Sequence, residues 1–222
     1  MKKVRMKFSK YDKMKFVGHL DLLKLFQRAV KRAGIPIAYS KGFNPHQIMS
    51  FAIPLSVGTE SYGEYVDIRL ESDMENEEIK ERLNKALPMG MQITDIIEHG
   101  ENEKNAAAVI AAALYEIELD REIKDIDKII EKDEMLIEKQ GKKGTKTVNI
   151  KEDIFYAESK CENGKTVIKT LIATGSKRNL KPNLFIEYVY KAAGEEFPQY
   201  RIKYKRIEMY KEENGEFVTL MK

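Results

Sequence analysis

The chain of 222 residues has one cysteine, no tryptophan, three histidines and six prolines. Each scarcity removes a class of chemistry. A single cysteine, Cys161, rules out an intrachain disulfide, a cysteine-only zinc site and a cysteine-ligated iron–sulfur cluster. It lies in a strand-like run with no base beside it, which reads as an ordinary strand residue rather than a nucleophile. His19, His46 and His99 are too far apart in sequence for metal-ligand spacing, and no close acidic cluster accompanies them. Neither GxxxxGKS/T nor GxGxxG occurs. The expectation is therefore no metal and no cofactor in this chain. No apolar run approaches the roughly 18 residues of a membrane span. The opening MKKVRMKF runs straight into a strand-like pattern, with no apolar signal-peptide core behind it. A reducing cytoplasm is the expected location.

Charge is plentiful but unevenly placed. Residues 1–50 carry 12 Lys/Arg against 2 Asp/Glu, whereas residues 51–100 carry 4 against 11, so a formal net charge of +3 hides a basic front end and an acidic second quarter. A front end this basic suits a polyanion, most commonly a phosphate backbone. The competing reading is that the following carboxylates fold back and neutralise it.

Two hydrophobic periods alternate along the chain. Val4–Ser9 alternates apolar and basic residues and reads as a half-buried strand. His19–Ala33 has helical period, with Leu22, Leu25, Phe26, Ala29, Val30 and Ala33 on one face and Lys24, Arg28, Lys31 and Arg32 on the other. Asp21 in its first turn suits a helix N-terminus, and Gly34 with Ile35-Pro36 ends it. Strands are expected over 36–40, 48–53, 64–70 and 91–98, with a helix over 76–87. That order is the split β-α-β of a ferredoxin-like fold. It recurs in strands over 114–119, 135–139, 156–161, 166–173 and 200–210, with helices over 123–132 and 182–193. The fold class is therefore α+β, two tandem ferredoxin-like (β-α-β-β-α-β) domains. The expected boundaries are 1–100, a linker or short helix over 101–113, and 114–222. Residues 140–147, QGKKGTKT, read as a mobile basic loop.

The candidate site residues come from three basic stretches. His19, near a helix N-terminus, is either a proton acceptor or a structural histidine; the dipole there favours the neutral ring. Lys41-Gly42-Phe43-Asn44-Pro45-His46 combines a cation, an aromatic face and an imidazole. It is either an RNA-contacting loop or a tight turn with Phe43 in the core. The lysines of 139–146, including Lys142 and Lys143, and the run Lys177-Arg178 ahead of the last helix add cations; the latter sit beside helix N–H groups that suit an anion. His99 has no evident role.

The run from Arg5 to Gly58 resembles a bacterial family of radical-SAM-linked conserved hypothetical proteins. The resemblance is carried by Arg5, Phe8, Lys10, Phe16, Gly18-His19-Leu20-Asp21-Leu22, Arg28-Ala29, Arg32-Ala33, Pro36, Ser40, the 41–46 loop and Pro54-Leu55-X-X-Gly58. It is thinner afterwards, with Glu64-Tyr65-Val66-Asp67 and Leu180-Lys181-Pro182 as its best points. Gly18 stands where the family more often has Ser or Thr, and Lys24 where arginine is commoner. The resemblance implies a domain that stands beside, or fused behind, a radical SAM protein. A more distant similarity of fold is to CRISPR repeat-processing endoribonucleases, which implies RNA and little more.

Three functions are then open. The first is an RNA-binding accessory module that presents structured RNA, tRNA or rRNA, to a radical SAM partner. It would use His19, Asp21, Lys24, Arg28, Arg32, Lys41, Phe43 and His46, with Lys142, Lys143, Lys177 and Arg178 from the second half. The second is a metal-independent endoribonuclease with His19 or His46 as general base. The third is a protein-only adaptor that docks the radical SAM protein. No membrane partner is expected.

Overall fold

The computed structural model describes residues 2–100, 102–141 and 144–222. The fold is α+β. It divides into two compact units, 1–110 with 208–222, and 111–207.

In the first unit β1 (Lys2–Lys10) is followed by α1 (His19–Arg32), β2 (Met49–Phe51), β3 (Glu60–Leu70), α2 (Asn76–Ala86), β4 (Met91–Glu98) and the single turn α3 (Ala106–Val109). β1 pairs antiparallel with β4 on one edge and with β3 on the other. Ile68 is the register partner of both Val4 and Met49, so β2 lies on the far edge of β3, giving the order β4-β1-β3-β2.

Strand alternation explains the core. Val4, Met6 and Phe8 point to one side and pack with Val66, Ile68 and Leu70 under Leu22, Phe26 and Val30 of α1 and Ile79 and Leu83 of α2. Phe8 packs on Phe26 with ring centroids 4.9 Å apart. Lys3, Arg5 and Lys7 necessarily point to the other side. The register shifts between Lys7 and Lys10. The same alternation that buries Phe8 puts Lys10 on the inner side, where its Nζ donates to the carbonyl of Val17 at 2.7 Å. Gly90 (φ +89°) is required where β4 begins, because a Cβ there would come within 2.8 Å of the Tyr11 carbonyl. Tyr11 N–H donates to the Gly90 carbonyl at 2.9 Å, which anchors the turn leading to α1.

The second unit contains β5 (Ile110–Glu118), α4 (Ile126–Ile130), a hairpin of β6 (Leu136–Gly141) and β7 (Gly144–Asn149), β8 (Ile154–Glu162), β9 (Lys165–Ala173) and α5 (Pro182–Ala192). β10 (Lys203–Glu213) begins in this unit, and its residues 208–213 belong to the first, as does β11 (Glu216–Thr219). The strand order here is β10-β5-β9-β8. Ile117, Ile168 and Ile172 of the sheet and Phe185, Ile186 and Val189 of α5 are buried. Asn214 and Gly215, both at positive φ, make the two-residue β10–β11 turn.

Two local expectations are corrected. Residues 36–40 do not form a strand; only isolated bridges occur there, Ile37 with Leu70 and Tyr39 with Gln47. Residues 140–141 and 144–147 lie in the paired strands β6 and β7 rather than in a loop, with Lys139 opposite Lys146 in register; residues 142 and 143 lie outside the described residues. No described helix is long and apolar enough to cross a membrane.

Candidate functional site

The basic front end divides between two elements with opposite fates. On β1 Arg5 and Lys7 are consumed. Arg5 is buried and grips the equally buried Asp67 bidentately, Nε to Oδ1 at 2.8 Å and Nη2 to Oδ2 at 3.1 Å. Its Nη2 also donates to the Lys104 carbonyl at 3.1 Å, and Nη1 to the Leu220 carbonyl at 3.4 Å. The second Asp67 oxygen accepts the Ala106 N–H at 2.7 Å. Lys7 pairs with Glu208 at 2.5 Å, and Tyr65 donates to the other oxygen of that carboxylate. Burial, reinforced by Glu208, pushes the Tyr65 phenol far above its ordinary value, so it stays a donor. Lys15, in the following turn, pairs with Glu60 at 2.9 Å.

His99 completes this network, and sequence reasoning missed it. Its Nε2 lies 3.1 Å from Arg5 Nη2, and its Nδ1 lies 2.7 Å from Glu103 Oε2. Nε2 also lies 3.0 Å from the Lys104 carbonyl, so the ring sits between a guanidinium that can only donate and a carbonyl that can only accept, with the Glu103 carboxylate on its other nitrogen. Burial first, and the Arg5 charge second, hold the imidazole below its ordinary value. The one available signal was strand register. Ile97 pairs with Arg5, and the His99 N–H donates to the Lys3 carbonyl at 2.8 Å, so His99 is carried to the edge of the Arg5 cluster.

On α1 the cations are left free. The helix forms because its apolar residues fall on one face, and it starts at Gly18 with Asp21 in the first turn. Asp21, Lys24, Arg28, Lys31 and Arg32 are exposed. Spacings of three and four residues put Asp21, Lys24, Arg28 and Lys31 on one stripe. Among the described residues, no ion pair or side-chain hydrogen bond engages Lys24, Arg28 or Lys31. Arg32 is partly spent, donating through Nη2 to the Ala86 carbonyl at the end of α2 (2.6 Å). His19 is exposed, and its ring meets Phe51 edge-on at 5.9 Å. The narrow cleft it lines with Lys10, Glu64 and Tyr65 has a volume of about 10 Å³, room for one water.

The 41–46 loop is closed rather than slack. The Ser40 N–H donates to the His46 carbonyl at 2.8 Å, and the His46 N–H donates to Ser40 Oγ at 3.1 Å. Ser40 Oγ also lies 2.8 Å from His46 Nδ1, which leaves Nε2 as the uncommitted ring atom. Gln47 donates through Nε2 to the Gln27 carbonyl and so ties the base of the loop to α1. At the tip, Phe43 is fully exposed and not in the core; Lys41 is exposed beside it with no partner among the described residues.

The second-unit candidates are weaker. Arg178 is engaged by Asp153 at 2.7 Å, while Lys177 is exposed. Lys142 and Lys143 lie outside the described residues. No group of three or more His, Cys, Asp or Glu among the described residues is arranged to hold a metal ion.

Residues 3–182 match the family described as "Uncharacterized protein conserved in bacteria (DUF2344)", and the chain belongs to that family. No curated protein matches it. Among solved structures it is similar to the "Crystal Structure of an Unknown Protein from Galdieria sulphuraria", with 11% identity, a TM-score of 0.28, and coverage of 94% of this chain and 98% of that one. A likeness at that level carries no argument.

Proposed function

We propose that this DUF2344 protein is an RNA-binding module that holds structured RNA, tRNA or rRNA, and presents it to a radical SAM partner. The observation that supports the reading is the free stripe of Lys24, Arg28 and Lys31 on α1, tied through Gln47 to a closed loop that exposes Phe43 and Lys41. Unpaired cations at one-turn spacing suit successive phosphates. A fully exposed phenylalanine on a braced loop has no packing role and suits stacking on an unpaired base. The radical SAM partner comes from the family resemblance and the 41–46 motif. A tandem ferredoxin-like architecture belongs to the same reading. It is supported by the order β4-β1-β3-β2 in the first unit and β10-β5-β9-β8 in the second, each the 4-1-3-2 arrangement of a split β-α-β fold.

The test is binding of tRNA and rRNA fragments to the full chain across a salt series. Affinity falls steeply between about 50 and 200 mM salt if the reading holds. Salt-insensitive binding, or none at micromolar protein, contradicts it. Capture of the radical SAM protein that is lost on ribonuclease treatment supports presentation of RNA; capture that survives favours a protein-only adaptor. The uncommitted Nε2 of His46 keeps one second reading open, a metal-independent ribonuclease. Cleavage in chelator that disappears in His46→Ala would establish it, and intact RNA after long incubation would end it.

A further inference from the structure

A cavity of about 280 Å³ opens beside β2 and β3 in the first unit, and the α1 stripe does not line it. Its cations are Lys3 and Arg69, which are direct register partners on neighbouring antiparallel strands. Like charges placed opposite each other destabilise a sheet. Both are half-buried, which adds a desolvation cost. The one carboxylate in the lining, Asp67, is already paired with Arg5 and accepts the Ala106 N–H. Lys3 uses one of its three donors on the Glu103 carbonyl at 2.8 Å. Among the described residues nothing pairs with the Arg69 guanidinium, with Ser50 Oγ or with the Asn105 amide. Burial lowers the Lys3 ammonium from its ordinary value, and Arg5 and Arg69 add to that against the opposing pull of Asp67 and Glu103.

We infer that this cavity is a binding site for a nucleoside monophosphate unit, its phosphate between Lys3 and Arg69 and its base against Ile48. A dianionic phosphate relieves the Lys3–Arg69 repulsion and takes the free donors of both. Ser50, Asn105 and His46 Nε2 supply hydrogen-bonding groups for the sugar and the base edge. The volume lies just under the roughly 300–1,000 Å³ of sites for drug-sized ligands, which suits one nucleotide and not a dinucleotide or a duplex. The site uses no glycine-rich loop, so motif reading passes over it. The unit is either a free nucleotide or the terminal nucleotide of an RNA; both present the same chemistry.

The experiment titrates the full chain with each of the four 5′-nucleoside monophosphates, with inorganic phosphate, and with a short single-stranded RNA carrying either a 5′-phosphate or a 5′-hydroxyl. At least one mononucleotide binds at least ten-fold more tightly than inorganic phosphate. Arg69→Gln weakens that binding by ten-fold or more, and the surface change Asn105→Ala weakens it several-fold at unchanged melting temperature. Preference for the 5′-phosphorylated RNA over the free mononucleotide identifies an RNA end as the source; equal or better binding of the free nucleotide identifies a small ligand. Failure of every mononucleotide to bind at low millimolar concentration, binding no tighter than inorganic phosphate, or wild-type affinity in both variants overturns the inference. Such a failure leaves salt-dependent RNA binding on α1 intact. Loss of that binding with mononucleotide binding retained overturns the RNA reading alone.

Discussion

β1 and α1 are the two basic elements of the amino-terminal region, and they spend their charge in opposite ways. Arg5 and Lys7 on β1 face carboxylates at 2.5–2.8 Å, and Arg5 is buried. Lys24, Arg28 and Lys31 on α1 face solvent with no partner among the described residues. A basic segment is thus two things. Part is an internal counter-charge for Asp67 and Glu208, and part is a surface available to an outside anion. The distinction comes from period. A strand alternation sends every second residue of β1, and with it Arg5 and Lys7, to a face where its own chain supplies carboxylates, whereas the helical stripe of α1 opposite its apolar face has no such cover.

The comparison breaks most readily at Arg5. Replacing it with methionine strands Asp67 in the interior, and removal of one partner of a buried pair costs about 3–5 kcal/mol. Arg5→Met should therefore lower the urea midpoint severely, with RNA affinity of the remaining folded protein unchanged. A mild effect would mean that the β1 cations are not structural. Phe43→Ala is the converse case. It should leave the melting temperature where it is and weaken RNA binding roughly ten-fold or more through lost stacking. A drop in melting temperature without a change in affinity would reassign Phe43 to packing.

A smaller effect sharpens the β1 side through pH. His99 is neutral in the folded chain and its folded pKa lies below the ordinary value of 6.5. In the unfolded chain it takes up a proton near that value, so the unfolded state binds more protons as pH falls. Stability therefore declines as pH drops through the ordinary histidine range and levels off below the folded pKa. Denaturant midpoints measured from pH 8 to pH 5 should show this slope, and His99→Gln should flatten it. An unchanged slope in the variant would place the titration elsewhere.

Much of this was legible in sequence, for physical reasons. The α1 stripe announces itself because Leu22, Phe26, Ala29 and Val30 recur at helical spacing, and the helix observed, His19–Arg32, is one residue shorter than the pattern suggests. β4 falls on Met91–Glu98 as read. Residues 36–40 were misread because β-branched and proline-flanked residues suit an extended chain whether or not a neighbour offers a full ladder. The strand over 144–149 hides from a sequence reading because glycine, lysine and threonine there show no buried face to pattern; β7 has no buried residue. His99 and Arg69 were invisible as site residues because their meaning is set by register partners, Arg69 with Lys3 and Ile97 with Arg5, far away in sequence. Phe43 was ambiguous because a loop aromatic carries no period at all.

The most direct measurement is the salt dependence of RNA affinity for the wild-type chain and for the triple variant Lys24→Gln/Arg28→Gln/Lys31→Gln. Three lost phosphate contacts should make the slope of log affinity against log salt shallower by roughly 2–3, at unchanged melting temperature. An identical slope in the two proteins would contradict the assignment of the α1 stripe as the surface that meets RNA.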